Sequence, residues 1–214
     1  MWAGYVFLLS SFFLSFFLDL TNLFPPSSSP LQYGCNFKMP NDSPYMQELV
    51  VRWYQFGLFC PIFRTHGCRE GPSEPDVAPC TGVAGSCGAN EVWSYGADTQ
   101  ALLSDMIRYR ANVLKPYIAA LARNVSAEGV PTMRPLWYHF AADPAAYGVD
   151  DQYMLGPDLL VAPVTVQGAT NRSVVFPGAG VQWQSVWDAS VVVAGGATRV
   201  VQAPLNVIPE YKRV

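Results

Sequence analysis

The stretch ELVVRWYQFGLFCPIFRTHG, Glu48–Gly67, constrains the arrangement of the rest of the chain. Apolar residues lie on every side of a helical wheel drawn over residues 46–59, a pattern typical of a helix enclosed by other elements. The letters NDSP come just before it, which predicts Ser43 as the N-cap and Pro44 at the first helical position. We therefore predict a buried helix over residues 45–59.

The second half of this stretch predicts a different backbone. Cys60-Pro61 ends the helical pattern, and the chain is expected to continue in an extended conformation. Arg64 and His66 follow two residues apart, so in a strand both side chains would leave from the same face. The sequence therefore predicts that the helix leads into a segment that presents two polar side chains to one site.

Composition limits the class of protein. Half of the 214 residues are apolar and 14% are charged, so a sizeable core is available to one large domain or two small ones. A net charge of −3 with few Lys/Arg runs gives no electrostatic footprint for nucleic acid. The five cysteines show no C-x-x-C and no histidine at ligand spacing. We expect no metal, no cofactor and no nucleic-acid partner.

The N-terminal residues 1–24 form an apolar segment with no charge before Asp19. This is typical of a signal-peptide core or a short membrane anchor. No basic residues precede it and no cleavage motif follows, so a segment foreign to the protein is a further interpretation. Entry into the secretory pathway and anchoring to a membrane both stay open, and the Pro/Ser-rich residues 25–36 are predicted to be a linker.

A second long helix is predicted after the Gly/Pro-rich loop at residues 67–89. Asp98-Thr99 are expected to cap it, Pro116 to kink it, and it should end near Asn124. Apolar residues recur along it at three- and four-residue steps. The predicted core stripe comprises Leu102, Leu103, Met106, Ile107, Val113, Leu114, Tyr117, Ile118 and Leu121.

The pattern changes from residue 133 onward. Short β-rich runs are separated by Gly and Pro, which favours an antiparallel sandwich or barrel edge. The runs are RPLWYHF, QYMLGPDLLVAPV, RSVVFPG, VQWQSVWDA, TRVVQAPL and VIPEYKR. Within this region His139 is expected to be structural.

Three Asn-x-Ser motifs occur, at Asn41, Asn124 and Asn171. They are acceptor motifs for N-glycosylation, meaningful where the chain enters the secretory route. The first is weakened because Pro44 follows it.

Four blocks, in this order along the chain, resemble glycoside hydrolase family 31, the α-glucosidases and α-xylosidases. They are RWYQFG, CPIFRTHG, NEVWSYG and DQYMLGPDLLVAPV. The resemblance covers residues 37–213. It implies an α/β plus β fold, with the C-terminal part of a (β/α)8 barrel over residues 37–132 and a truncated antiparallel β-sandwich-like domain over residues 133–214.

The resemblance implies hydrolysis of O-glycosidic bonds in α-linked glucosides or xylosides by a retaining mechanism. Such hydrolysis canonically needs two carboxylates flanking the bond. The family's catalytic aspartates lie on earlier barrel strands, and no residue of this chain matches them, so we name no catalytic residue. We expect Asp150 and Asp151 to be solvated, and Glu91 and Asp98 to fix a loop and a helix start. The chain alone is then a fragment without activity.

The resemblance also implies four residues that bind the carbohydrate partner. His66 matches the histidine that hydrogen-bonds the sugar, and a neutral imidazole can both donate to and accept from a hydroxyl. Arg64 is expected to be a buried guanidinium that binds a carboxylate bidentately. Phe37 and Trp93 are expected to line the pocket, with core packing an equal alternative. Of the family block around Phe37 only that residue is kept, with Tyr33 near the place of its acid.

Two other classes of function remain. The chain could be a carbohydrate-binding or scaffolding module without chemistry, or an interaction protein tethered to a membrane through residues 1–24. Sugar binding without turnover would favour the module, and soluble expression without detergent would count against the tether.

Overall fold

Residues 41–65 and 89–214 are described by a computed structural model. The predictions made for residues 1–40, and for His66 with the loop that follows it, lie outside these described residues. The chain divides into two compact units at the bond between Lys115 and Pro116. Within the described ranges, no helix has the length and apolar character that crossing a membrane requires.

The first helix of the described residues, α1, runs from Pro44 to Gly57 and begins as predicted. Ser43 is extended, with φ −65° and ψ 138°, and its hydroxyl accepts a hydrogen bond from the Met46 N–H at 3.3 Å. Pro44 lies in the first turn, where its missing N–H removes no intrahelical bond. No residue from 45 to 57 is exposed. The predicted buried helix is therefore confirmed, although it ends two residues earlier than expected.

Arg52 is a charged residue inside α1, and its side chain is only 3% exposed. Its Nη1 donates to Oε1 of Gln55 at 3.0 Å, and the Glu48 carboxylate lies 4.0 Å from its Nε. Burial lowers the pKa of the Arg52 guanidinium, while the charge of Glu48 acts in the opposite direction. The buried Arg52 guanidinium therefore has the Gln55 amide and the Glu48 carboxylate of the same helix as its neighbours.

The second helix, α2, spans Ala97–Tyr109, and its start corrects the prediction. Gly96 is the N-cap, with φ +88°, and no side chain caps the helix. Glycine adopts this backbone conformation without a steric penalty, so the chain enters the helix before Asp98-Thr99. Asp98 lies in the first turn instead, where its charge favours the positive end of the helix dipole.

Pro116 acts on the backbone that precedes it. Arg110–Leu114 forms a π-helical turn, in which the Lys115 N–H donates to the Arg110 carbonyl, and helix α3 continues over Lys115–Glu128. Proline has no N–H, and its ring crowds the carbonyl four residues earlier. A wider turn relieves that crowding, so the distortion predicted at Pro116 takes the form of a π turn.

Helix α3 extends beyond the predicted end near Asn124. The Gly129 N–H donates to the Val125 carbonyl at 3.0 Å, and Gly129 has φ +72°, which terminates the helix. The apolar periodicity of the sequence ends before the helix does, because residues 122–129 are all exposed and need no apolar side chains.

The predicted apolar stripe is only partly core. Ile107 is 38% exposed and Val113 52% exposed. The π turn adds a residue to the helical register, so three- and four-residue steps across it no longer follow one face. The buried members are Leu103, Met106, Leu114, Ile118 and Leu121.

The C-terminal unit has eight strands among its described residues, all paired antiparallel. A six-stranded sheet has the order β1-β2-β3-β8-β5-β6, and a two-stranded sheet pairs β4 with β7. An antiparallel β-domain is thereby confirmed. The bounds are β1 Met133–Arg134, β2 Tyr153–Leu155, β3 Leu159–Val161, β4 Asn171–Phe176, β5 Gln182–Ser185, β6 Val192–Ala194, β7 Ala197–Gln202 and β8 Glu210–Arg213.

The core of this unit is built around Trp183, which is completely buried. Its indole Nε1 donates to the Pro177 carbonyl at 3.0 Å, and the Phe140 ring packs against it at 5.9 Å between centroids. Phe176 and Tyr211 meet edge to face at 4.7 Å in the same cluster. These aromatic contacts join β4 to β8, and β5 to the segment that carries Phe140.

The run RPLWYHF, residues 134–140, is mostly not the strand that its composition predicts. Only Met133–Arg134 pairs with β2, and Leu136–Tyr138 form a 3-10 turn. Pro135 has no N–H to donate to a sheet ladder, so the pairing stops there. Phe140 is still buried in the core, which explains the apolar composition of the run.

Asp151, predicted to be solvated, has a side chain that is 37% exposed and that also forms an ion pair. Its carboxylate lies 2.7 Å from Nη2 of Arg172, whose side chain is 9% exposed. Nη1 of Arg172 also donates to the backbone carbonyls of Asp151, at 3.0 Å, and of Pro163. This guanidinium ties the segments that flank β2 and β3 to the start of β4.

His139 belongs to a polar cluster inside the β-domain, in agreement with its expected structural role. Nη1 of Arg134 lies 2.9 Å from Nε2 of His139. A guanidinium can only donate, so that ring nitrogen accepts and the imidazole is neutral. Burial first, and then the charges of Arg134 and Arg213, lower the pKa of His139.

Candidate functional site

The segment after α1 is held in place by Arg110 of the π turn. Its Nη1 donates to the Leu58 carbonyl and its Nη2 to the Pro61 carbonyl, the latter at 3.3 Å. The same guanidinium lies over the Phe63 ring, 5.2 Å from the centroid. Phe63 in turn meets the ring of Tyr54 on α1 edge to face at 5.2 Å. The backbone that leads to Arg64 is thus fixed from two sides.

Arg64 and Thr65 are exposed at the end of this segment. Residues 61–65 pair with no strand among the described residues. Since His66 lies outside them, the expectation that Arg64 and His66 leave from the same face stays a prediction. The carbonyls of Leu58 and Pro61 accept hydrogen bonds from a guanidinium rather than from a neighbouring strand. The Thr65 side chain hydrogen-bonds Tyr54.

Arg64 is exposed among the described residues. Its burial against a carboxylate is expected in a complete barrel and stays a prediction. Arg110 is the arginine that makes the contacts there. His66 and Phe37, the other two predicted sugar-binding residues on this side, lie outside the described residues. Their roles stay predictions.

Trp93 lies on a short 3-10 turn, Val92–Tyr95, and is 65% exposed. Trp93 therefore packs in no core among the described residues, and its role in lining a pocket stays a prediction. Oε2 of Glu91 accepts hydrogen bonds from the Asn90 N–H at 3.1 Å and from the Ser94 hydroxyl at 3.0 Å. The hydrogen bond from its own backbone, and then those from Ser94 and Asn90, lower the pKa of the Glu91 carboxyl. Glu91 fixes this loop, as expected.

The turn that carries Trp93 is also anchored to α1. Nε2 of Gln47 donates to the Tyr95 carbonyl at 2.8 Å, and the buried Tyr95 hydroxyl donates to Oδ1 of Asn90. A side chain added at Gly96 would lie 3.2 Å from the same Gln47 amide. An exposed indole is thus presented from a braced backbone.

The described residues of this site hold no paired catalytic carboxylates. Glu91 is committed to its own loop, and Asp98 lies in the first turn of α2. Across the described ranges, no group of three or more His, Cys, Asp or Glu side chains could hold a metal ion. The arrangement can position and contact a ligand, and the described side chains offer no acid/base pair to cleave one.

Cys60 is a free thiol at the base of this site, and we expect it to be unreactive. Burial raises its pKa to about 11, although the charge of Arg110 acts in the opposite direction. Since the thiolate is the nucleophile, iodoacetamide at pH 8 should modify Cys60 in the native chain about a hundredfold or more slowly than in denaturant. Peptide mass spectrometry measures both rates, and equal rates would contradict the burial argument.

Two family models match the chain in consecutive segments. The model of the glycosyl hydrolases family 31 TIM-barrel domain matches residues 34–121, and that of the glycosyl hydrolase family 31 C-terminal domain matches residues 129–214. The chain belongs to glycosyl hydrolase family 31. Its fold is therefore part of a TIM barrel followed by the family's C-terminal β-domain, as the sequence resemblance implied.

Curated family 31 relatives match the same region. The probable glucan 1,3-alpha-glucosidase of Arabidopsis thaliana is 34% identical over 78% of this chain and 16% of the relative. Neutral alpha-glucosidase AB of Homo sapiens is 32% identical with the same coverage, and the alpha-xylosidase of Saccharolobus solfataricus is 33% identical over 20% of its length. The chain spans about a sixth to a fifth of the length of these relatives.

Solved family 31 structures share the fold. An alpha-xylosidase from a soil metagenome, complexed with xylose, is 36% identical with a TM-score of 0.69, over 81% of this chain and 25% of that one. A dextranase of Flavobacterium johnsoniae, as a D412A mutant complexed with isomaltotriose, is 29% identical with a TM-score of 0.67, over 81% and 19%.

Sequence reasoning missed Arg110 and Gln47, which hold the two parts of the site. Arg110 contacts Leu58 across 52 residues, and Gln47 contacts Tyr95 across 48. Neither residue lies in a motif or on an apolar stripe, so no local signal could have identified these contacts.

Proposed function

We propose that this chain forms the C-terminal part of the sugar pocket of a family 31 α-glycosidase. The substrates are α-linked glucosides or xylosides, cleaved with retention at the anomeric carbon. The observation that carries the proposal is the Arg110 clamp on the backbone leading to Arg64 and His66. Support for the substrate class comes from the α-glucosidase and alpha-xylosidase relatives.

In this proposal each site residue has a distinct task in the complete barrel. His66 exchanges hydrogen bonds with a sugar hydroxyl, since a neutral imidazole donates and accepts. Arg64 binds a carboxylate supplied by another part of the barrel through parallel N–H bonds. Trp93 and Phe37 offer aromatic faces to the apolar side of the ring. Their supports, Arg110 and Gln47, fix the geometry.

The proposal assigns the barrel part to residues 37–132 and the β-domain to residues 133–214. The bond-breaking carboxylates come from outside these residues. Retaining hydrolysis needs one carboxylate as nucleophile and one as acid/base, about 5 Å apart. A pocket that only positions the sugar cannot replace them.

The 214-residue chain should therefore not hydrolyse a chromogenic α-glucoside or α-xyloside. The measurement is release of the chromophore by the purified chain, with an intact family 31 alpha-xylosidase as the positive control. Turnover with retention of configuration would overturn the assignment of chemistry to another part of the enzyme.

A groove in the β-domain favours a second candidate, a carbohydrate-binding module without catalysis. It holds about 720 Å³ and is lined by residues of β5 to β8 and of the loops that precede β6 and β8. Trp187, 42% exposed, and Val200, 70% exposed, give it apolar surface. Hydrogen bonds from Ser190 lower the pKa of Asp188, so an ionised acceptor lies beside the indole. An aromatic face next to a polar acceptor suits a sugar.

Three tryptophans of the described residues are exposed, and they allow the two candidates to be separated. Trp93→Ala should weaken binding of xylose or isomaltose by about tenfold if the barrel site binds sugar, because one ring-stacking contact is lost. Trp187→Ala should do so instead if the groove binds it. Trp137→Ala, 44% exposed and in neither site, is the matched control. Isothermal titration measures the three affinities, and equal affinities in all three variants would remove both sites.

The third candidate is tethering to a membrane through residues 1–24. These residues lie outside the described structure, and the tether remains a prediction from composition alone.

A further inference from the structure

We propose that Asn124 and Asn171 are acceptor sites for N-linked glycans when the chain is translocated into a compartment that makes them, and that Asn41 is not. All three asparagines begin an Asn-x-Ser motif. The motif alone makes no distinction among them. The structure distinguishes them by exposure and by the partner of each side-chain amide.

Asn124 lies on the last turns of α3. Every residue from 122 to 129 is exposed, so a bulky glycan meets solvent in all directions on this part of the helix. Ser126, the third residue of the motif, is exposed and bonds only locally, to the Ala122 carbonyl at 3.3 Å. A glycan at Asn124 displaces no described core contact.

Asn171 is the first residue of β4, at the end of the two-stranded sheet. Both Asn171 and Ser173 are exposed, while Arg172 between them directs its side chain to Asp151. Side chains of a strand alternate in direction, so the asparagine and the serine share the face opposite to Arg172. The anchor that holds β4 therefore remains intact when the asparagine carries a sugar.

Asn41 is held differently. It is half-buried, and its Nδ2, the atom that would carry the sugar, donates to the Ala89 carbonyl at 2.9 Å. The Ser43 hydroxyl is engaged as the N-cap of α1, and Pro44 follows directly. A glycan on Asn41 would crowd Ala89 beside the anchored turn of Trp93.

The modification transfers an oligosaccharide from a polyprenyl pyrophosphate donor. The asparagine Nδ2 forms a bond to the anomeric carbon, and the bond from that carbon to the pyrophosphate oxygen breaks. The amide loses one proton and the polyprenyl pyrophosphate leaves, so no oxidant or reductant is needed. The asparagine keeps one amide N–H, and the exposed surface accommodates the attached sugar.

The test is expression of the full chain behind a cleavable secretion signal in eukaryotic cells. Digestion with peptide N-glycosidase leaves aspartate at each modified position, which peptide mass spectrometry identifies. We expect aspartate at positions 124 and 171 and intact asparagine at position 41. N124Q and N171Q should each remove one glycan from the gel-mobility pattern, and the double variant both.

Asn41→Gln is the matched control and should leave the glycan pattern unchanged. The melting temperature of the secreted chain should also stay the same before and after glycan removal, because both sites are exposed. An unmodified Asn124 or Asn171 on a secreted chain would overturn the assignment of that residue. A glycan on Asn41 would overturn the inference that its hydrogen bond to the Ala89 carbonyl keeps it unmodified.

Discussion

Trp183→Ala should destabilise the chain by about 3–5 kcal/mol, the largest loss that we expect from a single truncation. The indole is completely buried, packs on Phe140 at 5.9 Å and donates to the Pro177 carbonyl at 3.0 Å. Truncation leaves a cavity that the two neighbouring sheets cannot fill and a buried carbonyl without its donor. Urea unfolding followed by circular dichroism measures the loss.

Trp187→Ala is the matched control for Trp183→Ala. Trp187 belongs to the same unit but is 42% exposed, so its truncation should cost well under half as much. Equal losses at the two positions would show that the core of the β-domain is not centred on Trp183.

Gly195→Ala should destabilise the chain by about 3 kcal/mol, at the upper end of the range for overpacking. A methyl group built on Gly195 would lie 2.1 Å from the Gly178 carbonyl oxygen and 2.7 Å from that of Pro177. These are backbone atoms, so no rotamer change relieves the overlap. The turn at residues 195–196 would have to move. That movement would weaken two backbone hydrogen bonds, from the Gly195 N–H to the Val181 carbonyl at 2.8 Å and from the Gly196 N–H to the Phe176 carbonyl at 2.7 Å.

Gly168→Ala provides the comparison for this prediction. Gly168 has φ +71°, but no atom lies within 4 Å of an added methyl group. Its substitution should cost only the backbone strain of about 1 kcal/mol. In thermal unfolding, Gly195→Ala should therefore have a much lower melting temperature than Gly168→Ala. The reverse order would refute the close approach of Gly195 to the carbonyls of Pro177 and Gly178.

Arg110 contributes more of the contacts that fix the described site than any residue predicted from the sequence. Arg110 fixes the segment before Arg64 through two carbonyls and one ring, and Gln47 fixes the turn of Trp93 through one carbonyl. A site whose side chains are exposed while its backbone is braced is suited to positioning a ligand. Exposed side chains on a fixed backbone agree with the proposed role of these residues as one wall of a larger pocket.

The sequence by itself determined the family, the start of α1 and the antiparallel character of the second half. These features are encoded locally: Ser43 and Pro44 satisfy or remove the first N–H groups of a helix within three residues. The Gly/Pro spacing after residue 133 likewise marks where short strands must turn. The family was recognised from four sequence blocks and their order along the chain, and neither depends on which segments contact one another.

Only the tertiary structure decided which polar groups meet. Arg110 with Leu58, Asp151 with Arg172, and the exposure of Trp93 depend on contacts between segments far apart in the chain. A guanidinium has several donors and several suitable partners in the sequence, and packing alone selects among them.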